Sequence, residues 1–264
     1  MALDIGGAIR RGVRRVGTRQ GAMLVAGFAA VGVGVALLWE SVLGRFVAGD
    51  DFFAVVPPEL ATELRGAWAN YEVLLDLGLP VEVLLGLVIL LWFVRLVLRI
   101  GAIRWFVGDT NQPLTAELFT DRLGWTVLNL LAGTILYGVA VVIGLVLLVV
   151  PGVFLAVALF FFNYEIVIEG ENAIDALVNS WSLTDGHRFR LFLLGGLFVA
   201  LGLGVSSLGN PTLIPGRLAP AVVGATVSAA FGVFGIATAA DAYTQLQNAA
   251  DTVDEPVSDE LAAN

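Results

Sequence analysis

Apolar residues run almost unbroken through six stretches of this chain, and the polar residues gather between them. The runs extend from about Gly21 to Leu38, Leu79 to Ile100, Trp125 to Val149, Val153 to Ile168, Leu191 to Leu208 and Pro220 to Ala240. A helix needs about 20 apolar residues to cross roughly 30 Å of hydrocarbon, so each run predicts a transmembrane helix, the fourth being the shortest. Only Val150-Pro151-Gly152 separates the third run from the fourth. As one helix the two would reach about 65 Å, twice the bilayer. Pro fixes φ and Gly admits positive φ, so a tight hairpin is predicted at that tripeptide. The predicted fold class is an all-α integral membrane helical bundle. Residues 1–250 form its six-span domain, and 251–264 form an acidic tail without periodicity, expected to be disordered.

Three segments that precede odd-numbered spans have helical rather than continuous apolar periodicity. In Asn172 to Leu183, Ile174, Leu177, Val178 and Trp181 fall at i, i+3, i+4 and i+7, one face of a helix. Asn172 suits its N-cap, and Gly186 suits a position just past its end. The amino-terminal segment sets Ile5, Ala8, Ile9, Val13 and Val16 against its arginines, and Thr115 to Leu123 carries a weaker version. Such helices lie in the membrane interface or present a docking face for a partner or lipid headgroups. Thr120-Asp121 and Thr184-Asp185 recur 64 residues apart before their spans. That spacing fits three copies of a surface helix plus a transmembrane hairpin.

Composition sharpens the picture. The chain is 58% hydrophobic and 14% charged, with no cysteine and one histidine. Disulfides, thiolate metal sites and a cysteine nucleophile are excluded, and a His-ligated zinc or His-based triad has too few histidines. No cofactor motif or glycine-rich phosphate loop appears. All 14 basic residues are arginine, and the net charge is −9. An acidic, lysine-free chain has the composition of a halophile's protein, and without a basic groove nucleic acid is not an expected partner.

Arginine placement sets the expected orientation. With the amino terminus inside, Arg10, Arg11, Arg14, Arg15, Arg19, Arg95, Arg99, Arg104, Arg122, Arg188 and Arg190 are cytoplasmic, and only Arg45, Arg65 and Arg217 are exterior. Both termini are then cytoplasmic in the plasma membrane, and the exterior segment from about Glu40 to Gly78 is acidic. The arginine pairs before the first span are reminiscent of a twin-arginine leader, but no Ala-x-Ala cleavage pattern follows and the apolar run is long for a signal.

From Pro151 to Leu194 the chain reads PGVFLAVALFFFNYEIVIEGENAIDALVNSWSLTDGHRFRLFLL. Pro151-Gly152, Glu169-Gly170, Ala176-Leu177, Ser180-Trp181, Leu183-Thr184 and Gly186 give this stretch its character. It resembles the membrane domain attached to some glycerophosphoryl diester phosphodiesterases and related uncharacterised multi-pass proteins. The resemblance implies a bundle of about six spans. It does not carry over the phosphodiesterase reaction, which would need a further soluble domain with metal-binding carboxylates and histidines.

Ionisable groups inside a span are costly enough to need partners. Arg95 lies roughly 22 Å down the second span and Glu165 roughly 20 Å down the fourth, at about 1.5 Å per residue. The equal depth predicts an Arg95–Glu165 ion pair with Asn129 and Asn163 at the same level. It would act as a fastener between spans or line an ion or proton path; alternatively Arg95 snorkels to the headgroups. Glu82, Asp241 and His187 are expected to reach the interface. Small-residue stripes (Ala22, Ala26, Ala30 and Gly34; Gly196, Ala200 and Gly204; Gly224, Ser228 and Gly232) fit close helix packing, within the chain or in a homo-oligomer. The expected function is a non-enzymatic membrane component that organises partners or lipids; the alternative is a small transporter or channel using the Arg95/Glu165 layer. The bilayer is the one partner the sequence implies directly, with a membrane-protein partner or a second copy beside it.

Overall fold

In the computed structural model the described residues are 3–48, 57–68, 77–108, 110–207 and 218–254. Among them every regular element is helical: α1 (Ile5–Val16), α2 (Arg19–Ala48), α3 (Pro58–Trp68), α4 (Val81–Val107), α5 (Glu117–Thr120) and α6 (Leu123–Leu147) come first. Then follow α7 (Val149–Ala158), α8 (Phe162–Tyr164), a π-helical turn (Glu165–Glu169), α9 (Ala173–Leu183), α10 (Arg188–Ser207) and α11 (Leu218–Asp254). Six runs are long and apolar enough to cross a membrane: Arg19–Arg45, Val81–Val107, Leu123–Leu147, Val149–Glu169, Arg188–Val205 and Ala219–Ala250. The six-span helical fold class read from the sequence is therefore present. Of the acidic tail, 255–264 lies outside the described residues, and α11 continues helical to Asp254.

The chain divides into two compact units. The first comprises Met1–Val25, Val97–Leu203 and Ala230–Asn264; the second comprises Ala26–Leu96 and Gly204–Ala229. In the second, Leu38 and Val42 of α2 pack with Leu84 and Val88 of α4, flanked by Leu79, Leu87 and Leu91. Gly34, in one of the small-residue stripes, lets the α4 side chain of Leu91 in: a Cβ there would come within 2.9 Å of the Leu91 Cδ1. Gly32 meets Ala225 of α11 in the same way. Close van der Waals packing of this kind is what holds helices together where the surrounding medium is as apolar as their side chains.

In the first unit the hairpin between α6 and α7 turns earlier than the sequence implies. Leu148 is the extended residue (φ −162°, ψ 145°), and Pro151-Gly152 already lies in the first turn of α7. A first-turn proline forfeits no intrahelical bond, so Pro151 starts the helix rather than breaking the chain. Gly152 has a different task. A Cβ on Gly144 would come within 2.8 Å of the Gly152 Cα, so the absence of side chains lets the two helices touch backbone to backbone beside the turn.

The fourth span is discontinuous. α7 stops at Ala158, α8 resumes at Phe162, and the π-helical turn carries the chain to Gly170, whose φ of 73° closes the segment. A break inside lipid is tolerated only where protein satisfies the freed backbone groups. Here α9 does so. The Ser180 hydroxyl donates to the Ala158 carbonyl (3.2 Å) and accepts from the Phe161 N–H (3.0 Å), while the Thr184 hydroxyl donates to the same carbonyl (3.0 Å). Both side chains are fully buried. Replacing Ser180 with Ala strands the Phe161 N–H, at about 1–3 kcal/mol. Thermal unfolding in detergent should register that loss, with a further loss on adding Thr184→Val, and hydrogen exchange at Phe161 should accelerate. Unchanged protection at Phe161 would contradict this assignment.

Candidate functional site

The surface helices α1 and α9 define the candidate site, because each binds the first unit by an unexpected side. α9 is capped as the sequence implies, the Asn172 carboxamide accepting from the Ile174 and Asp175 N–H groups, both at 3.0 Å. Gly186, at φ 69°, lies past its end. Its inward face consists of Ala173, Ala176 and Ser180. Ile174, Val178 and Trp181 point outward, with Ile174 65% exposed, and Leu177 is half-buried. Small and hydroxyl-bearing residues thus make the internal contacts, and the large apolar stripe faces the surroundings. Helix α1 repeats the arrangement: Gly7, Ala8 and Gly12 are buried and Val13 is exposed. A side chain at Gly12 would collide with Thr238 and Phe234 of α11. The third expected surface helix shortens to the four residues of α5.

Charge fastens α1. Arg11 grips Asp241 of α11 with two parallel hydrogen bonds, Nε to Oδ1 at 2.6 Å and Nη2 to Oδ2 at 2.8 Å. Gln245 Nε2 adds a bond to Oδ2 at 2.8 Å, and the Arg15 Nη1 stands 3.9 Å from Oδ1 while donating to the Phe106 carbonyl. The bond to Asp241, reinforced by the charges of Asp241 and Asp4 against a desolvation penalty, raises the Arg11 pKa, so this cation stays charged. The sequence placed Asp241 at the interface and the arginines on the cytoplasmic side; the structure joins them, with Asp241 at 5% exposure. An acidic residue in the last turns of a span, beside an arginine-rich amphipathic segment, was the available signal.

Arg104, near the end of α4, has a comparable role. Its Nη1 donates to the carbonyls of Leu118 and Asp121 at 3.1 and 2.9 Å, closing α5, and Nε reaches the Val167 carbonyl at 3.4 Å. Asn129, expected in a polar layer, instead bridges α6 to α9: it accepts from the Ala173 N–H and donates to the Trp125 carbonyl, both at 3.0 Å. Trp125 donates in turn to the Gly170 carbonyl at 3.1 Å.

The expected partners Arg95 and Glu165 each have their own surroundings. Arg95, in the second unit, is exposed, and its guanidinium lies 5.7 Å from the Trp92 ring centroid. Glu165, in the first, is 5% exposed on the π-helical turn, facing the Tyr243 phenol with Glu169 and Glu171 nearby. Tyr243 accepts from Gln247 at 2.7 Å, and Gln247 also donates to Glu169 at 3.0 Å. Asn163 is half-buried. His187 sits at the start of α10, its Nδ1 3.0 Å from the Asp185 carbonyl oxygen. Among the described residues no cluster of His, Asp and Glu has the arrangement to hold a metal ion.

Glu171 lies just beyond the span and bonds the Asn179 amide. Burial raises its pKa, with Asp175 and Glu169 adding to the rise and the Asn179 bond opposing it.

A family model described as a domain of unknown function, DUF7847, matches residues 3–246, nearly the whole chain. Nothing links it to the membrane domain of the glycerophosphoryl diester phosphodiesterases, and the expected resemblance resolves to a different, uncharacterised family. No curated protein and no solved structure matches the chain.

Two measurements check the electrostatics. Asp241→Asn should destabilise by about 1–3 kcal/mol, since it removes the charge from a buried carboxylate that accepts two bonds from the half-exposed Arg11. Its combination with Arg11→Gln should be less than additive in thermal unfolding, and strict additivity would contradict the pairing. For Glu171, a folded pKa raised above the unfolded one favours the protonated fold. Its contribution is complete below the ordinary carboxylate range and is lost as pH rises through the raised value. Glu171→Gln should therefore be slightly more stable than the parent at neutral pH, with the gap closing in acid; a gap that widens in acid would reverse the sign.

Proposed function

The chain belongs to the DUF7847 family, and we propose that it is a non-enzymatic membrane component that organises lipids or membrane-protein partners through its surface helices. The observation that carries this reading is the orientation of α9. Its backbone-satisfying face is committed to the broken fourth span, which leaves Ile174, Val178 and Trp181 as an outward apolar stripe. Helices that present such a stripe beside arginines immerse it at the headgroup and acyl boundary. We place the protein in the cytoplasmic membrane with both termini inside, on the eleven-to-three arginine bias. The acidic, lysine-free composition supports a saline habitat.

A second reading, a small transporter or channel using the Arg95/Glu165 layer, draws its support from Glu165. Discontinuous membrane helices and π-helical turns recur at ion and substrate sites, and Glu165 combines both with deep burial.

One reconstitution separates the two. In vesicles containing chain-spin-labelled lipid, the protein should immobilise a shell of lipid that Ile174→Glu/Val178→Glu diminishes, while ion and solute leakage stays at the level of protein-free vesicles. Flux that Glu165→Gln abolishes would defeat the organising reading.

A further inference from the structure

Between α7, α10 and α11 the first unit holds a half-open cleft of about 680 Å3. Its walls are apolar almost throughout: Val157 and Phe160 stand on one side, Gly196 and Phe198 of α10 on the other, and Ala239 of α11 closes the back. Tyr137 contributes the one hydroxyl, which already donates to the Ala156 carbonyl at 3.4 Å. The α10 side runs from Leu191 to Leu203, about 18 Å at about 1.5 Å per residue. That is roughly one leaflet of a 30 Å hydrocarbon core. A Cβ at Gly195 or Gly196 would meet no atom within 4 Å, so the small residues of α10 leave room that no other helix of the unit fills.

A charged residue precedes the α10 wall of the cleft. Arg188 precedes Leu191 by one turn of α10, and its guanidinium is clamped between aromatic rings, 4.9 Å from the Phe154 centroid and 4.5 Å from that of Trp181. Phe154 adjoins Val153, itself part of the cleft wall. Nη2 donates to the Trp181 carbonyl at 3.1 Å, and Nη1 stands 3.4 Å from the exposed carboxylate of Asp185. Nε is buried without a hydrogen-bond partner. The clamp fixes a cation, paired with Asp185, one turn before the α10 wall of a slot whose lining carries no charge and is about one leaflet long. An amphiphile with an anionic head and a long apolar tail complements both parts; a soluble ion or a polar solute complements only the first.

We propose that this cleft seats one acyl chain of an anionic phospholipid, with its phosphate at Arg188. The proposal rests on the reading of the protein as a lipid organiser and names the lipid class and its seat. Delipidated protein in detergent should bind one phosphatidylglycerol and, more weakly, phosphatidylcholine, as counted by native mass spectrometry. Gly196→Leu projects into open space, so the fold should survive while affinity for both lipids falls about tenfold. Ala200→Leu, on the same wall, should repeat that result. Arg188→Gln should lower phosphatidylglycerol affinity about fivefold and leave phosphatidylcholine unchanged, removing the preference. Folded Gly196→Leu and Ala200→Leu proteins with parental lipid affinity would overturn the proposal. So would a dimer of the parent that either variant converts to monomers, because a second copy would then fill the cleft. The lipid shell lost in the α9 double variant should persist in Gly196→Leu, so failure here leaves the broader reading standing.

Discussion

Hydrocarbon offers no hydrogen bonds, so a gap in a membrane-spanning helix survives only where another part of the protein completes it. In this chain the gap lies between Ala158 and Phe162, and the completing groups are two hydroxyls from one surface helix. That demand fixes which side of α9 turns inward. Ser180 and Thr184 must face the break, Ala173 and Ala176 share their side, and Ile174, Val178 and Trp181 are left outside. A water-soluble helix of the same pattern would bury the apolar stripe. Lipid removes the incentive to do so, since large apolar side chains are as well placed against acyl chains as against protein.

The same reasoning covers α1, fastened not by oily contact but by Arg11 and Arg15 on Asp241, with Gly12 allowing close approach to Thr238. Arg104 does for α5 and the π-helical turn what Arg11 does for α1. Arginines that a topology count assigns to the cytoplasmic side thus also carry internal structure, and the two roles are compatible near a span end. Arg188 combines them in a single side chain, stacked on Trp181 and Phe154 one turn before the α10 wall of the cleft.

Run length was enough to number the spans, because bilayer thickness leaves little choice. The Asn172 cap was also readable, since side-chain capping is local chemistry. Periodicity marked the α9 stripe but was silent on which medium it would face. Pro151-Gly152 pointed to the right hairpin and the wrong residue: a proline is as comfortable in the first turn of a helix as in a turn, and the chain bends at Leu148. Residue counting likewise assigns Arg95 and Glu165 a depth but no azimuth. The partner of Asp241 escaped notice because it lies 230 positions earlier, in a segment whose charges have a ready explanation at the membrane surface. Contacts of that range leave no periodic trace.

The account stands or falls on the inverted docking of α9. With no native cysteine to remove, single cysteines can be introduced at Ile174, Val178, Ala176 and Ser180 and spin-labelled in reconstituted bilayers. Collision rates with oxygen, which concentrates in the acyl region, then report what each position faces. High oxygen accessibility at 174 and 178 with low accessibility and restricted motion at 176 and 180 is the predicted pattern. The opposite pattern, with 174 and 178 protected, would mean that the apolar stripe packs against protein, and the explanation of the broken fourth span would fail with it.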